Sequence, residues 1–515
     1  MIAMPEIHPA AIAPIGFTAI GAMVILVQDA LLTRRSSLLG RSLTPAYAGT
    51  LNAFTAISFL SLALYVTVVA YASGDSVVFQ LANPLYQQDP FGSFATALVV
   101  VVGILTCALS VSYLSDLGID HGAYYALVLA SITGAIFLVG AIDLLSVYLG
   151  LELMTIPIYV LAGFDRVRLR SNEAAIKHFV MGSFATAILL YGMALTYGAT
   201  GATSFGAIRD AFDPTSRVAM LGLGLMVIGF ACKIASVPFH QWAPDVYEGA
   251  PAPITAFMSV AVTAAVFAAL LRLVATAIGP ETEQLSDVFA AFAALSMIVG
   301  NLMAVIQQNV KRMLAYSSIA HVGALLIGLA TGSPGGYGAL AFYLVVYAFM
   351  NLGAFGVVVA LARRGRECEE VEDFAGLART HPWLAAVMTL FMLSLAGIPG
   401  TAGFMAKFNL VVVAVRADMI WLPITLVVTS VISLFYYLRI PALMMMREPS
   451  GQPSRMTIAS GEALTLGICA AVVLFLGFFP NHGMLPFFGL ELPVLEWAND
   501  SVTNLFGSQG GLPGR

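Results

Sequence analysis

The chain has 515 residues, of which 59% are hydrophobic and only 10% charged, against roughly 25% charged in a soluble domain. That balance excludes an ordinary soluble enzyme and indicates a polytopic membrane protein whose first partner is the lipid bilayer; the net charge of −5 carries little information in such a chain, and nucleic acid is not an implied partner. The four cysteines, Cys107, Cys232, Cys368 and Cys469, are scattered, form no CxxC pair and have no His at ligand spacing, so neither a metal site nor a disulfide framework is expected.

Fourteen apolar runs are long enough to span a bilayer at about 20 residues per helix. They cover 9–32, 47–72, 93–113, 121–141, 143–163, 173–197, 217–240, 254–278, 285–308, 312–331, 336–362, 382–415, 419–446 and 459–480. The first lacks a basic flank and a cleavage site, which reads as a retained helix. With the N-terminus outside, the loops that fall inside carry Arg34, Arg35, Arg41, Arg166, Arg168, Arg170, Lys311, Arg312, Arg363, Arg364, Arg366, Arg379, Arg447 and Arg455, well over half of the chain's 23 Lys and Arg. The opposite loops are tilted acidic by Asp75, Asp89, Asp210, Asp213, Glu281 and Glu283. Both termini are therefore expected on the outer side. The tail after Pro480 is expected to be an external segment.

Ionisable residues inside apolar runs are costly and point to function. In chain order the first is Glu152, about nine residues or roughly 13 Å along its helix from Asp143. It reads as a partnered carboxylate in an ion path, with a protonated Glu bonded to backbone as the rival. Lys177, near the start of the sixth run, either joins such a path or extends its ammonium to the surface; His178 beside it points to another face and reads as structural. Lys233 stands in an otherwise uncharged stretch from Val218 to Pro244, and Pro238 after it bends or ends the helix, leaving polar backbone that is tolerated only beside a cavity. His321 is expected about nine residues into its helix and suits a group that gains and loses a proton, with a core His bonded to a carbonyl as the alternative. Lys311 and Arg312 read as interfacial anchors, His240 as a helix-end group, and Arg272 and Arg439 as structural. A second broken helix places Pro399 and Gly400 in mid-run with Lys407 soon after, alone in charge between Thr380 and Val415.

Two interrupted helices with one lysine each, five helices apart, are the pattern of inverted-repeat transporters. The expected fold is all-α: about fourteen transmembrane helices in two inverted five-helix repeats, each with a broken helix. Boundaries fall at 1–118 for three leading helices, 119–281 and 282–450 for the repeats, and 451–515 for the last helix and tail. A lysine loses its proton more readily on desolvation and less readily beside a carboxylate, so moving Glu152 relative to Lys233 would drive proton transfer.

Four separated segments, LGLELMTIPIYVLAGF, FHQWAPDVYEGAPAPITAFMSV, VKRMLAYSSIAHVG and SLAGIPGTAGFMAKFNL, resemble the subunit N family of the bacterial proton-pumping NADH-quinone oxidoreductase, respiratory complex I. The resemblance covers essentially the whole chain, most strongly from Asp143 to Arg439. It implies an antiporter-like subunit of the membrane arm in the bacterial inner membrane, between an M type subunit and small subunits K and J. It also implies no cofactor in this chain; NADH, FMN, iron-sulfur clusters and quinone would act in other subunits. Carried over by motif, Glu152, Lys177, Lys233, His321 and Lys407 match the family's proton-transfer residues. The family's usual eighth-helix lysine is replaced by Thr263, which can bond a water but cannot hold a proton as a cation. Two other classes remain open on these residues: a secondary cation/proton antiporter or a related hydrogenase- or ferredoxin-linked subunit, and a structural subunit with weakened pumping.

Overall fold

The computed structural model describes residues 9–38, 45–74, 76–80, 84–278, 283–362, 368–448, 458–479 and 494–507. Arg41, Arg363, Arg364, Arg366 and Arg455, and Asp75 and Glu281 of the opposite loops, lie outside them.

In chain order the helices are α1 (Pro9–Leu38), α2 (Pro45–Ser73), α3 (Pro90–Leu117), α4 (Gly122–Val139), α5 (Leu144–Ala162), α6 (Leu169–Thr200), the short α7 (Phe205–Ala211), α8 (Arg217–Lys233), α9 (Trp242–Gly249), α10 (Ala252–Phe257) and α11 (Thr263–Arg272). Then come α12 (Glu283–Val305), α13 (Val310–Ala330), α14 (Pro334–Leu361), the short α15 (Leu377–Thr380), α16 (Pro382–Ala396), α17 (Ala402–Arg416), α18 (Trp421–Met446), α19 (Ser460–Phe478) and α20 (Val494–Gly507). A small antiparallel hairpin, β1 (Val77–Gln80) with β2 (Pro84–Gln88), joins α2 to α3. Twelve helices among the described residues are long and apolar enough to cross a bilayer. The expected runs at 217–240 and 382–415 are not among the twelve, because each is interrupted.

The interior is built around α13, α14 and the rod Ala252–Ile278, which are almost wholly enclosed by the other helices, whereas α1, α2, α6 and α18 expose rows of Leu, Val, Ile and Phe. The rod comprises α10 and α11 with π-helical segments at Met258–Val262 and Leu273–Ile278. Exposed apolar rows fit lipid contact, since hydrocarbon chains solvate them as well as protein does. Arg272 at the end of α11 is 1% exposed and holds Asp89 through two bonds of 2.7 Å, while the Asp89 side chain also caps α3 by accepting from Gly92 N. One paired arginine thus ties the hairpin to the rod, as its structural reading expected.

Part of the tail, expected only as an external segment of unknown order, is an ordered helix. Residues 494–507 form α20, which packs on α14 and α3 and buries Ala498, Val502 and Leu505, an apolar row at helical spacing.

Both interrupted helices stop by the same device. After α8, Ala235 takes a left-handed φ of 54°, Ser236 N donates to Ala231 O (2.9 Å) and Ala235 N to Cys232 O (3.3 Å). After α16, Gly397 takes φ 87°, Ile398 N donates to Leu393 O (3.0 Å) and Gly397 N to Ser394 O (3.0 Å). These are paired Schellman closures. The helices therefore end at Lys233 and Ala396, ahead of Pro238 and Pro399; each proline sits in the turn that prevents the helix from resuming at once.

Candidate functional site

The Lys233 site is assembled by close approach of α8 to α6. At Gly192 an added Cβ would lie 2.7 Å from Gly222 O and Met226 N, so small residues let the two backbones nearly touch. At Gly182 any side chain would collide with Tyr159. That bare turn leaves the Gly182 carbonyl open to Lys233, whose Nζ donates to it (3.2 Å) and to Tyr159 OH (3.4 Å). Glu152 on α5 lies nearby but accepts from Thr186 Oγ1 (2.6 Å). Thr186 Oγ1 also lies 3.0 Å from Gly182 O, the alternative acceptor for its single proton, so one carbonyl and one hydroxyl stand between the carboxylate and the ammonium. Among the described residues no ion pair joins Glu152 to Lys233 directly. A cavity of about 30 Å³ is lined by Lys233, Tyr159, His178, Trp242 and Thr263, room for roughly one water.

Lys177 faces away from that cavity. Its Nζ bonds Glu173 and Asp245, each at 2.6 Å, and the other Asp245 oxygen accepts from Arg312 Nη1 (2.6 Å). Arg312 also reaches Glu248 (3.0 Å), which Arg170 contacts from the other side (3.1 Å). Arg312 is therefore a partner in a network that crosses between the halves of the molecule. Lys311 departs further from an interfacial anchor. It is fully buried and bonds Ala250 O (2.6 Å) and Glu369 Oε1 (3.1 Å), and Glu369 also accepts from Arg168 and Asn309. Its charge is compensated by residues 58 and 61 positions away, so it has no need to reach a surface. His240 lies in the turn between α8 and α9.

The second site lies around α17. Lys407 Nζ donates to Leu395 O (3.1 Å), Ala396 O (2.9 Å) and Ser430 Oγ (3.1 Å). The two carbonyls end α16 and would otherwise lack partners. A cavity of about 20 Å³ joins Lys407 to His321. His321 pairs through Nδ1 with Tyr343 OH (2.7 Å) and through Nε2 with Tyr437 OH (3.1 Å), so the carbonyl-bonded reading of this His does not apply. Tyr437 OH also pairs with Ser317 Oγ.

A buried polar string joins the rod to α14 and α13. Asn351 Nδ2 donates to Ser259 Oγ (2.8 Å) and Tyr347 OH (3.0 Å), Tyr347 OH donates to Ser318 Oγ (2.8 Å), and the Tyr347 ring lies 5.3 Å from the His321 ring. Ser259 lies in the π-helical segment that precedes Thr263, one turn away, and such segments concentrate at functional sites. Thr263 itself makes only a 3.5 Å bond to Met258 O. The structure thus gathers Lys233 and Thr263 at one cavity with Glu152 close by, His321 and Lys407 at another, and leaves Lys177 in the ionic network. Sequence reasoning missed Asp245, Glu248 and Glu369, although the Asp245/Glu248 spacing in an apolar stretch was a usable signal. It also missed the tyrosine hydroxyls and Asn351, which hydropathy alone does not single out. Among the described residues no group of three or more His, Cys, Asp and Glu is placed to hold a metal ion.

Residues 141–433, more than half of the chain, match the membrane-domain family described as NADH:quinone oxidoreductase/Mrp antiporter, TM. The chain is 44% identical over 397 residues to NADH-quinone oxidoreductase subunit N of Trichlorobacter lovleyi, covering 76% of this chain and 82% of that one. It is 40% identical over 494 residues to NADH-quinone oxidoreductase subunit N 1 of Sorangium cellulosum, covering 92% and 96%. Among solved structures it resembles a chain of respiratory complex I from Thermus thermophilus at 32% identity and TM-score 0.73, covering 89% of this chain and 97% of that one. The fold alone is shared with a chain of the Mrp complex from a Dietzia species, at 22% identity and TM-score 0.80, covering 96% and 98%. An enclosed lysine beside each broken helix, in a chain matched along nearly its whole length, identifies this protein as a member of the NADH-quinone oxidoreductase subunit N family.

Proposed function

We propose that this chain is a proton-translocating membrane-arm subunit of an NADH:quinone oxidoreductase in the bacterial inner membrane, and that it carries no redox centre. NADH, FMN, iron-sulfur clusters and quinone act in other subunits, and the M type subunit and the small subunits K and J are its neighbours. Its helices cross fourteen times, in two inverted repeats at 119–281 and 282–450, with both termini on the outer side.

The observation that carries the reading is a pair of lysine cavities, each beside a helix break, with a string of buried polar groups on the rod and α14 close to Thr263 and His321. Redox-driven movement elsewhere shifts Glu152 relative to Lys233 and changes whether Lys233 holds its proton. The proton arrives from the cytoplasmic side, passes from Lys233 past Thr263 and the Ser259–Asn351–Tyr347 string toward His321, and leaves from Lys407. Lys177, held by Asp245, tunes the cytoplasmic end.

The test is proton movement driven by NADH in membranes carrying Lys233→Ala or Lys407→Ala, with quinone reduction and assembly followed in parallel. Positioned proton-transfer groups contribute about a hundredfold or more in rate, so either variant should lower pumping by at least roughly tenfold with the complex still assembled. Native pumping in both would sink the reading.

A further inference from the structure

His178 follows Lys177 on α6, and successive helical residues point about 100° apart. Lys177 reaches outward to Asp245, while His178 turns inward to line the cavity of Lys233. Its ring stacks on Trp242, with centroids 4.8 Å apart and planes 9° from parallel, and meets Tyr159 edge-on at 4.9 Å. Trp242 and Asp245 are three residues apart on α9. The two contacts between α6 and α9 are therefore neighbours: an ion pair outside and a stacked imidazole inside. His178 lies one turn from Gly182, whose carbonyl accepts from Lys233. The imidazole forms the wall between the ionic network and the lysine cavity.

His178 is buried, and its Nδ1 has no hydrogen-bond partner. An unpaired polar nitrogen in the interior costs about 1–3 kcal/mol, a cost offset only if water in the adjoining cavity bonds it. A stack on Trp242 alone would be served as well by a Phe. Of the side chains lining this cavity, Lys233 and His178 are the two with a basic nitrogen that can take up a proton; Cys232, Tyr159, Tyr247 and Thr263 offer none.

We propose that His178 is a further proton carrier of this subunit, standing between the Lys177–Asp245 network and Lys233. The neutral ring accepts a proton on one nitrogen from a hydronium arriving on the side of the Lys177–Asp245 network, which leaves as water. It then releases a proton from its other nitrogen, through the one water the cavity has room for, to the neutral amine of Lys233. One proton and one positive charge move inward, the amine becomes an ammonium, and the ring is left neutral as the other tautomer. The cavity thereby keeps two proton-holding side chains although the eighth-helix position carries Thr263. This inference rests on the proton-translocating reading above.

The experiment uses the assembled complex in native membrane vesicles, with NADH-driven proton movement, quinone reduction and native-gel assembly read together. His178→Phe keeps the stack on Trp242 and removes both nitrogens. It should lower protons moved per electron pair by roughly tenfold at native assembly. His178→Ala opens a space that free imidazole can fill, and added imidazole should restore a large part of the lost pumping. Native proton yield in His178→Phe overturns the inference, as does a loss in His178→Ala that imidazole leaves unchanged, including a loss by failure to assemble. Lys233→Ala and Lys407→Ala run beside them separate the two levels: if both pump normally, the translocation reading itself falls.

Discussion

The two lysine sites share a helix break but hold their charge in different ways. At the first, the carbonyls ending α8 already have partners: Cys232 O accepts from Ala235 N and from the Trp242 indole (3.0 Å). Lys233 is left with two long bonds to neutral groups, and the nearest carboxylate stands behind Thr186. At the second, Lys407 itself satisfies the last carbonyls of α16, and the negative end of that helix favours its charge. A loosely held lysine near a carboxylate can be switched by small movements, whereas one bonded to a helix end has its environment fixed by the fold. Under the proposed function, the Lys233 site is the responsive one and the Lys407 site the set one.

The strongest effect is expected where the halves join. Lys311→Ala would leave Glu369 buried against Arg168 and Asn309 without its nearest cation and free the Ala250 carbonyl. Breaking a buried ion pair by removing one partner costs about 3–5 kcal/mol. Thermal melting of the detergent-solubilised complex should show that loss, and a melting point equal to the native protein's would mean the seam does not bind the halves together.

Next in size is the contrast between the lysines' partners. Glu152→Gln should reduce NADH-driven pumping by roughly tenfold, because it removes the charge that sets the Lys233 proton. Ser430→Ala removes one of three bonds to Lys407 and should lower pumping by a smaller factor than Glu152→Gln, since the two α16 carbonyls still hold the ammonium. Equal losses in the two variants would erase the distinction between a responsive and a set side.

Much of this was legible in the residues. Lys233 and Lys407 stand out because an ammonium in a long apolar run must have a purpose, and Pro238 and Pro399 mark where backbone is freed. The helix ends were misplaced by a few residues because an alanine at 235 gives no hint of a left-handed turn. Lys311 was misread because its partners are 58 and 61 residues away, in a loop and on a backbone carbonyl. Tyr343, Tyr347 and Tyr437 passed as apolar, since a tyrosine declares its hydroxyl only when a partner is opposite it. His178 was set apart from Lys177 by helical geometry correctly, yet what that other face meets depends on α8 and α9.

A smaller effect is expected at Thr263. On the proposed route the Ser259–Asn351–Tyr347 string between the rod and α14 carries the proton past this position, so Thr263→Lys should leave protons moved per electron pair within about twofold of native. A clear rise in that yield, measured with quinone reduction in the same vesicles, would show that the threonine interrupts the path and that the halves are less well connected than their hydrogen bonds imply.

The smallest effects fall on the two turns themselves, where the halves are most alike. Ala235 holds φ 54° at a cost of about 1–2 kcal/mol for a residue with a Cβ. Ala235→Gly relieves that strain but gives the unfolded chain more freedom, so a gain of at most about 1 kcal/mol is expected in thermal melting. The reverse change at the matching turn is less forgiving. Gly397→Ala incurs the same strain, and its Cβ would lie 2.9 Å from Lys407 Cδ and 3.2 Å from Nζ. It should therefore lower both the melting point and pumping, while Ala235→Gly leaves pumping unchanged. Were both variants to affect pumping alike, the turn after α8 would be as tightly coupled to its lysine as the turn after α16, and the first site would lose its claim to be the adjustable one.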